Sequence, residues 1–231
     1  MKLDIILPVY NERDSIKKVI SEWQEALDSL KIPHHIIVCE DGSTDGTDKL
    51  LRKIRSKYNL ILNQKRYRRG YGKAVIDGIK TSRAEYILHV DSDGQCDPED
   101  FKKFWEERNR ADVVIGWRVR RADPFQRKLY SFLFKTVFKA LFPVKVHDPS
   151  CPFVLYKREK ILPHLKYLSY LKEGFWWGFV GMCYKKKLSV YEIPIHHRQR
   201  YSGTTVVYKI SKLPKIVISN LIGLFKLKLA K

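Results

Sequence analysis

Short apolar runs alternate with stretches of helical periodicity through the first half of the chain. Leu3–Val9 reads as a buried strand, and Ser15–Leu30 as an amphipathic helix with Ile16, Val19, Ile20, Trp23 and Leu27 on one face. The same alternation continues with a strand at His35–Cys39, a helix at Thr47–Tyr58, a short strand at Leu60–Leu62 and a helix at Gly72–Thr81. A strand at Tyr86–Val90, a helix at Pro98–Asn109 with proline in its first turn, and a strand at Asp112–Gly116 follow. Such a succession predicts an α/β fold with a mostly parallel central sheet flanked by helices. In sheets of this kind ligands bind beyond the carboxyl ends of the strands. Three of those ends carry polar residues here, Pro8–Glu12, Glu40–Ser43 and Asp91–Asp93, and are expected to share one cleft.

Beyond Gly116 the pattern turns aromatic and basic. Phe125–Phe142 has helical spacing, with Arg127, Ser131, Lys135 and Lys139 forming a polar stripe on an otherwise apolar cylinder. The stretch Thr205–Lys231 also mixes apolar residues with lysines and contains Pro214. Two readings stand for both segments: helices in a membrane interface with lysines meeting lipid phosphates, or core helices with solvated lysines.

Composition narrows the partners. At 231 residues and 44% hydrophobic content the chain fits one well-packed domain, and its net charge of +20 implies an anionic partner: nucleic acid, a phosphorylated substrate or an anionic lipid surface. The four cysteines (Cys39, Cys96, Cys151, Cys183) are widely spaced, which argues for a reducing cytosol over a disulfide framework or zinc site. The N-terminal run Ile5–Val9 lacks the features of a signal peptide, and no stretch approaches the about 18 apolar residues of a membrane span. Any membrane association is therefore expected to be peripheral.

Candidate chemistry sits at the strand ends. Asp91-Ser92-Asp93 places two carboxylates on one side of an extended backbone, and Gln95 adds a neutral oxygen, a set suited to Mg²⁺ or Mn²⁺ shared with substrate phosphates. In Glu40–Thr47, Asp41 can accept hydrogen bonds from a nucleobase or ribose, while Asp45 or Thr47 caps the next helix. Arg66–Lys73 offers cations and backbone N–H groups ahead of a helix, fit for phosphate or for RNA, though it is not a Walker loop. RNP, KH and zinc-finger signatures are missing, so no nucleic-acid partner is expected. His147, His196 and His197 lack metal-ligand spacing, and the aromatic run Phe175–Phe179 reads either as a groove lining or as core.

Taken in order, these motifs resemble family 2 glycosyltransferases, in particular the dolichyl- or polyprenyl-phosphate mannose synthases. Ile6–Glu12 resembles the family's opening nucleotide-binding strand, Glu40–Thr47 its second acidic signature, Arg69–Ala74 its glycine-containing loop and Asp91–Gln95 its metal site. Val114–Arg118 resembles the strand ending in Gly-x-Arg, and Asp148–Phe153 the Asp-x-x-x-Gly-Phe motif with Pro152 in place of glycine. The late Arg-x-x-Gly-x-Ser-Lys motif lacks its lysine, a loss for which Arg198 or Arg200 could compensate. The resemblance implies a GT-A-type catalytic domain over residues 1–204, with 125–142 as an interface helix inside it, followed by a basic amphipathic segment at 205–231. It implies a metal-dependent, inverting transfer of a hexose (mannose or glucose) from a nucleotide sugar such as GDP-mannose to a polyprenyl or dolichyl phosphate. Pro8, Tyr10, Asn11, Glu12, Asp41, Gly70, Lys73, Asp91, Ser92, Arg198 and Arg200 would hold the donor, with Mg²⁺ or Mn²⁺ on Asp91, Asp93 and Gln95. Arg118, Arg127 and Ser131 would receive the acceptor phosphate. Asp93 and Asp148 are the catalytic candidates, Asp148 either as the base a hydroxyl acceptor needs or only as an orienting group. The setting implied is the cytosolic face of a membrane, with or without a separate membrane subunit. Transfer to a saccharide or protein hydroxyl is the alternative.

Overall fold

A computed structural model describes residues 1–119, 125–171, 173–201 and 213–230; the side chains of 125–131, 133, 213 and 214 lie outside that description. Seven strands form one sheet: β1 (Leu3–Val9), β2 (His34–Glu40), β3 (Leu60–Gln64), β4 (Tyr86–His89), β5 (Val113–Arg118), β6 (Val154–Lys157) and β7 (Val190–Ile195). Their order is β3-β2-β1-β4-β6-β5-β7. All seven residues of β1 are buried, which explains why it reads as an unbroken apolar run instead of alternating: helices cover both faces.

The parallel part of the expectation holds for β3-β2-β1-β4 and for β5 with β7. Strand β6 runs antiparallel between β4 and β5, and neither β6 nor β7 was expected from the pattern. Their apolar runs are short and sit among aromatic residues, so period alone did not separate them from helix or loop. Because β6 is reversed, its entry loop (148–153) reaches the same edge as the exit loops of β4 and β5.

The helices are α1 (Ile16–Ser29), α2 (Thr47–Ile54), α3 (Tyr71–Thr81), α4 (Phe101–Glu106), α5 (Phe125–Leu141), α6 (Arg158–Ile161), α7 (Phe175–Lys185) and α8 (Leu213–Leu229). The five α1 residues predicted to share a face are the five that are buried. α4 is shorter than expected, because Pro98–Asp100 forms a 3-10 turn first, with the Asp97 side chain accepting the Glu99 N–H at 3.0 Å. α8 packs on α7 and α5 and buries Leu224 and Leu227 completely. It leaves Ile218, Ile222, Phe225 and Leu229 half or more exposed.

Candidate active site

The loops at the strand C-terminal edge enclose a cleft of about 360 Å³, a size suited to a small ligand. One wall comes from the β1 and β2 ends. Asn11, in the left-handed region at φ 55°, donates its N–H to Ser43 Oγ at 3.0 Å, and its Oδ1 accepts the Thr44 N–H at 2.8 Å. The two loops are thereby tied to each other. Glu12 donates its N–H to Thr47 Oγ1 at 3.0 Å, and its carboxylate accepts from Ser15 Oγ at 2.7 Å and from Arg200. Burial raises the Glu12 pKa, outweighing Ser15 and Arg200, which stabilise the charged form. Asp45 accepts the Thr47 N–H at 2.9 Å just ahead of α2, but the capping position itself is Gly46 at φ 91° with no side-chain cap, so neither Asp45 nor Thr47 is the cap expected from the sequence.

Asp41 is 3% exposed and lines the cleft. Its Oδ2 accepts the N–H groups of Arg69 and Gly70 at 2.9 and 2.7 Å. Its Oδ1 makes no hydrogen bond but lies 3.7 Å from Arg69 Nε, an ion pair at the back of the loop. Beside it, the Arg68 guanidinium lies 4.1 Å above the Tyr10 ring.

The cleft floor is the Asp91–Gln95 turn. Asp91 Oδ1 accepts from the Tyr71 hydroxyl at 2.7 Å. Burial, and then the charge of Asp93, push the Asp91 pKa well up. Asp93 Oδ1 accepts the Gln95 N–H at 3.1 Å, and its Oδ2 lies 3.7 Å from Arg200. Two neighbouring carboxylates, Asp91 and Asp93, with Gln95 on the same turn, form an open set of hard ligands. That set fits a divalent cation completed by phosphate oxygens. Among the described residues no group of three His, Cys, Asp or Glu side chains forms a closed metal site. Ser92 is buried, and Gly94 sits at φ 80° under the Tyr201 ring, where an added Cβ would come within 2.3 Å. Backbone bonds from Arg198 N to Gln95 O at 3.0 Å and from Tyr201 N to Asp93 O at 3.2 Å lay the 198–201 segment across this turn.

The opposite wall carries Arg118 from the end of β5. Its Nε and Nη2 contact Asp148 Oδ2 and Oδ1 at 2.7 and 3.0 Å, and Nη2 also reaches Ser150 Oγ at 2.8 Å. Glu192 holds this loop by accepting the N–H groups of His147 and Asp148 at 2.9 and 2.8 Å. His147 stacks on Trp117 with ring centroids 4.3 Å apart. The start of α7 contributes Phe175, Trp176 and Trp177, so that aromatic run is groove lining and core together.

The structure gathers Pro8, Tyr10, Asn11, Glu12, Asp41, Asp91, Ser92, Asp93, Gln95, Arg118 and Arg200 around one cleft. Gly70 stands behind Asp41 and takes part through its N–H, whereas Lys73 is exposed on α3 outside the cleft lining. Arg198 turns away to Asp97 at 2.6 Å and Glu22 at 3.3 Å, so of the two candidate arginines it is Arg200 that enters. Asp148 stands behind Arg118 and presents both carboxylate oxygens to it. Arg127 and Ser131 fall on α5, but their side chains lie outside the described residues, as does the rest of the late motif after Tyr201. Arg68, Ser150, Tyr71 and Trp176 lie within motifs that the sequence marked, but the sequence assigned none of them an individual role. Tyr71 was inside a motif already singled out, as the first helical residue after Gly70.

Comparison with known proteins agrees with this geometry. The family model described as Glycosyl transferase family 2 matches residues 4–162, from β1 through β6 and α6. Dodecaprenyl-phosphate galacturonate synthase of Rhizobium johnstonii is 27% identical over 97% of this chain and 67% of its own length. Dolichol-phosphate mannosyltransferase of Pyrococcus furiosus is 30% identical over 70% of this chain and 47% of its own. Glucosyl-3-phosphoglycerate synthase of Mycobacterium tuberculosis, solved with Mn²⁺, UDP and phosphoglyceric acid, has a TM-score of 0.74 at 16% identity, covering 100% of this chain and 79% of that one. That likeness extends the GT-A arrangement of sheet and helices over the whole chain. With the family model spanning the acidic strand-end loops in order, the chain belongs to glycosyl transferase family 2.

Proposed function

We propose that this protein transfers a hexose from a nucleoside-diphosphate sugar to a polyprenyl phosphate, with inversion, while docked on the cytosolic face of a membrane. The observation that carries the reading is the cleft itself: three carboxylates (Asp41, Asp91, Asp93) and Arg118 line a single ligand-sized space. Asp41, which lines the cleft, is the acceptor for N–H or O–H groups of the nucleoside in this reading. Mg²⁺ or Mn²⁺ on Asp91 and Asp93, with Gln95 beside them, would neutralise charge on the leaving diphosphate. Arg200, already at Asp93 and Glu12, adds a guanidinium to the same end of the donor.

A phosphate acceptor, whose second pKa is about 6, arrives ionised and needs no general base. That agrees with Asp148 being occupied by Arg118: here it orients the arginine that receives the acceptor phosphate, together with Arg127 and Ser131 of α5 by family likeness. No helix among the described residues is long and apolar enough to cross a membrane. Neither α5 nor α8 contains an acidic residue, and exposed Phe132, Ile218, Ile222 and Phe225 with flanking lysines suit an anionic lipid surface. The relatives named as prenyl-phosphate sugar synthases support the acceptor class.

The test is incubation with Mn²⁺ or Mg²⁺, labelled GDP-mannose or UDP-glucose, and a short polyprenyl phosphate. Labelled lipid is expected. Transfer to a soluble saccharide, with none to any lipid phosphate, overturns the acceptor assignment.

A further inference from the structure

We propose that the Tyr71 hydroxyl, itself oriented by the Trp176 indole, is the positioning group that holds the Asp91 carboxylate for the divalent cation; this rests on the metal reading of Asp91 and Asp93. An indole N–H can only donate, and a phenol has one proton. Trp176 Nε1 donates to the Tyr71 oxygen at 2.9 Å, so the Tyr71 proton is committed to Asp91 Oδ1 at 2.7 Å. The relay has one polarity, and it uses one carboxylate oxygen while leaving the other for a cation.

Packing fixes both rings. Tyr71 meets His89 and Phe175 edge-on with centroids 6.0 Å away, and Trp176 meets His89 at 4.5 Å and Phe175 at 5.1 Å. The backbone is fixed as well, since Tyr71 opens α3 directly after Gly70, whose φ of 105° and N–H bond to Asp41 set the helix start. Outer partners of metal ligands act in this way, fixing the ligand's rotamer before the ion arrives.

The experiment titrates Mn²⁺ into the full chain with saturating GDP or UDP and reads free Mn²⁺ by its electron paramagnetic resonance. Tyr71→Phe, which keeps the ring and its contacts, is expected to weaken Mn²⁺ binding by about 10- to 100-fold. In turnover assays the Mn²⁺ activation constant rises while KM for the nucleotide sugar at saturating Mn²⁺ stays at the wild-type value. Trp176→Phe shifts Mn²⁺ affinity in the same direction by less. Wild-type affinity in Tyr71→Phe overturns the proposal; should that variant not fold, wild-type affinity in Trp176→Phe does so. A wild-type chain that binds no Mn²⁺ with either nucleotide overturns the underlying metal reading instead.

Discussion

The two walls of the cleft are built on opposite terms. On the donor side, Asp91 and Asp93 stand on a turn beyond β4, above a core of fully buried Leu7, Leu88 and Val90 that is complete without them. On the side proposed for the acceptor, Arg118 and Asp148 are themselves part of the scaffold: a bidentate pair, each side chain less than a tenth exposed, joining the end of β5 to the entry of β6. The difference separates chemistry from stability. Donor-side substitutions should act on turnover, and acceptor-side substitutions on turnover and folding together.

The largest effect tests the donor side. In the proposed metal site Asp93→Ala would remove a ligand of the cation, and a loss of roughly 10³-fold or more in metal-dependent kcat is expected. Its unfolding midpoint in calorimetry should stay close to wild type; full activity in this variant removes Asp93 from the metal site. Next, Arg118→Ala takes the bidentate partner from a buried carboxylate and should cost about 3 kcal/mol of stability, read from denaturant unfolding, along with activity. A variant of unchanged stability breaks the comparison.

A third test lies on the seam between the walls. The His89 Nδ1–H donates to the Pro152 carbonyl of the β6 entry loop at 3.1 Å, and its Nε2 is buried without a partner. Burial, only partly opposed by that bond, pushes its pKa down to about 3. Between pH 6.5 and 3 the unfolded chain therefore binds a proton that the folded chain does not. Stability from this group is complete above pH 6.5 and falls with acidification through that window, by up to about 1.4 kcal/mol per pH unit. Urea titrations from pH 7 to 4 should show a shallower fall in His89→Gln. An equal slope in both proteins removes His89 from the account. The smallest structural perturbation is Ile222→Glu on the exposed face of α8. It should leave stability within about 0.5 kcal/mol. Partition onto anionic vesicles should drop by roughly tenfold, given an isoleucine-sized loss of burial; unchanged sedimentation with vesicles takes α8 out of the docking face.

The same division explains what the sequence disclosed. Strands β1 to β5 and helices α1 to α3 follow local periodicity, so their positions were legible, and so were the acidic residues punctuating them. The order of the motifs alone is enough to bring Asp41, Asp91 and Asp93 to one cleft. Residues brought in from a distance were not legible. Glu192 reaches back 44 residues to hold Asp148, and Trp176 lies 105 residues from Tyr71. Nothing periodic announces either contact. Arg198 and Arg200 looked equivalent in the sequence; the backbone pairing of 198–201 with the Asp93–Gln95 turn sends one outward and the other in.

The reversed strand has a consequence for how such an enzyme can vary. A wholly parallel sheet presents only the exits of its strands to a ligand, and each exit leads into a helix that also packs the core. By running backwards, β6 presents an entrance, fed by the 143–153 segment that comes straight from α5. That segment can lengthen, shorten or change composition without altering the helix crossovers that set the donor corner. One antiparallel strand thus lets the acceptor end of the molecule be re-tailored to a new recipient while the nucleotide end is inherited unchanged.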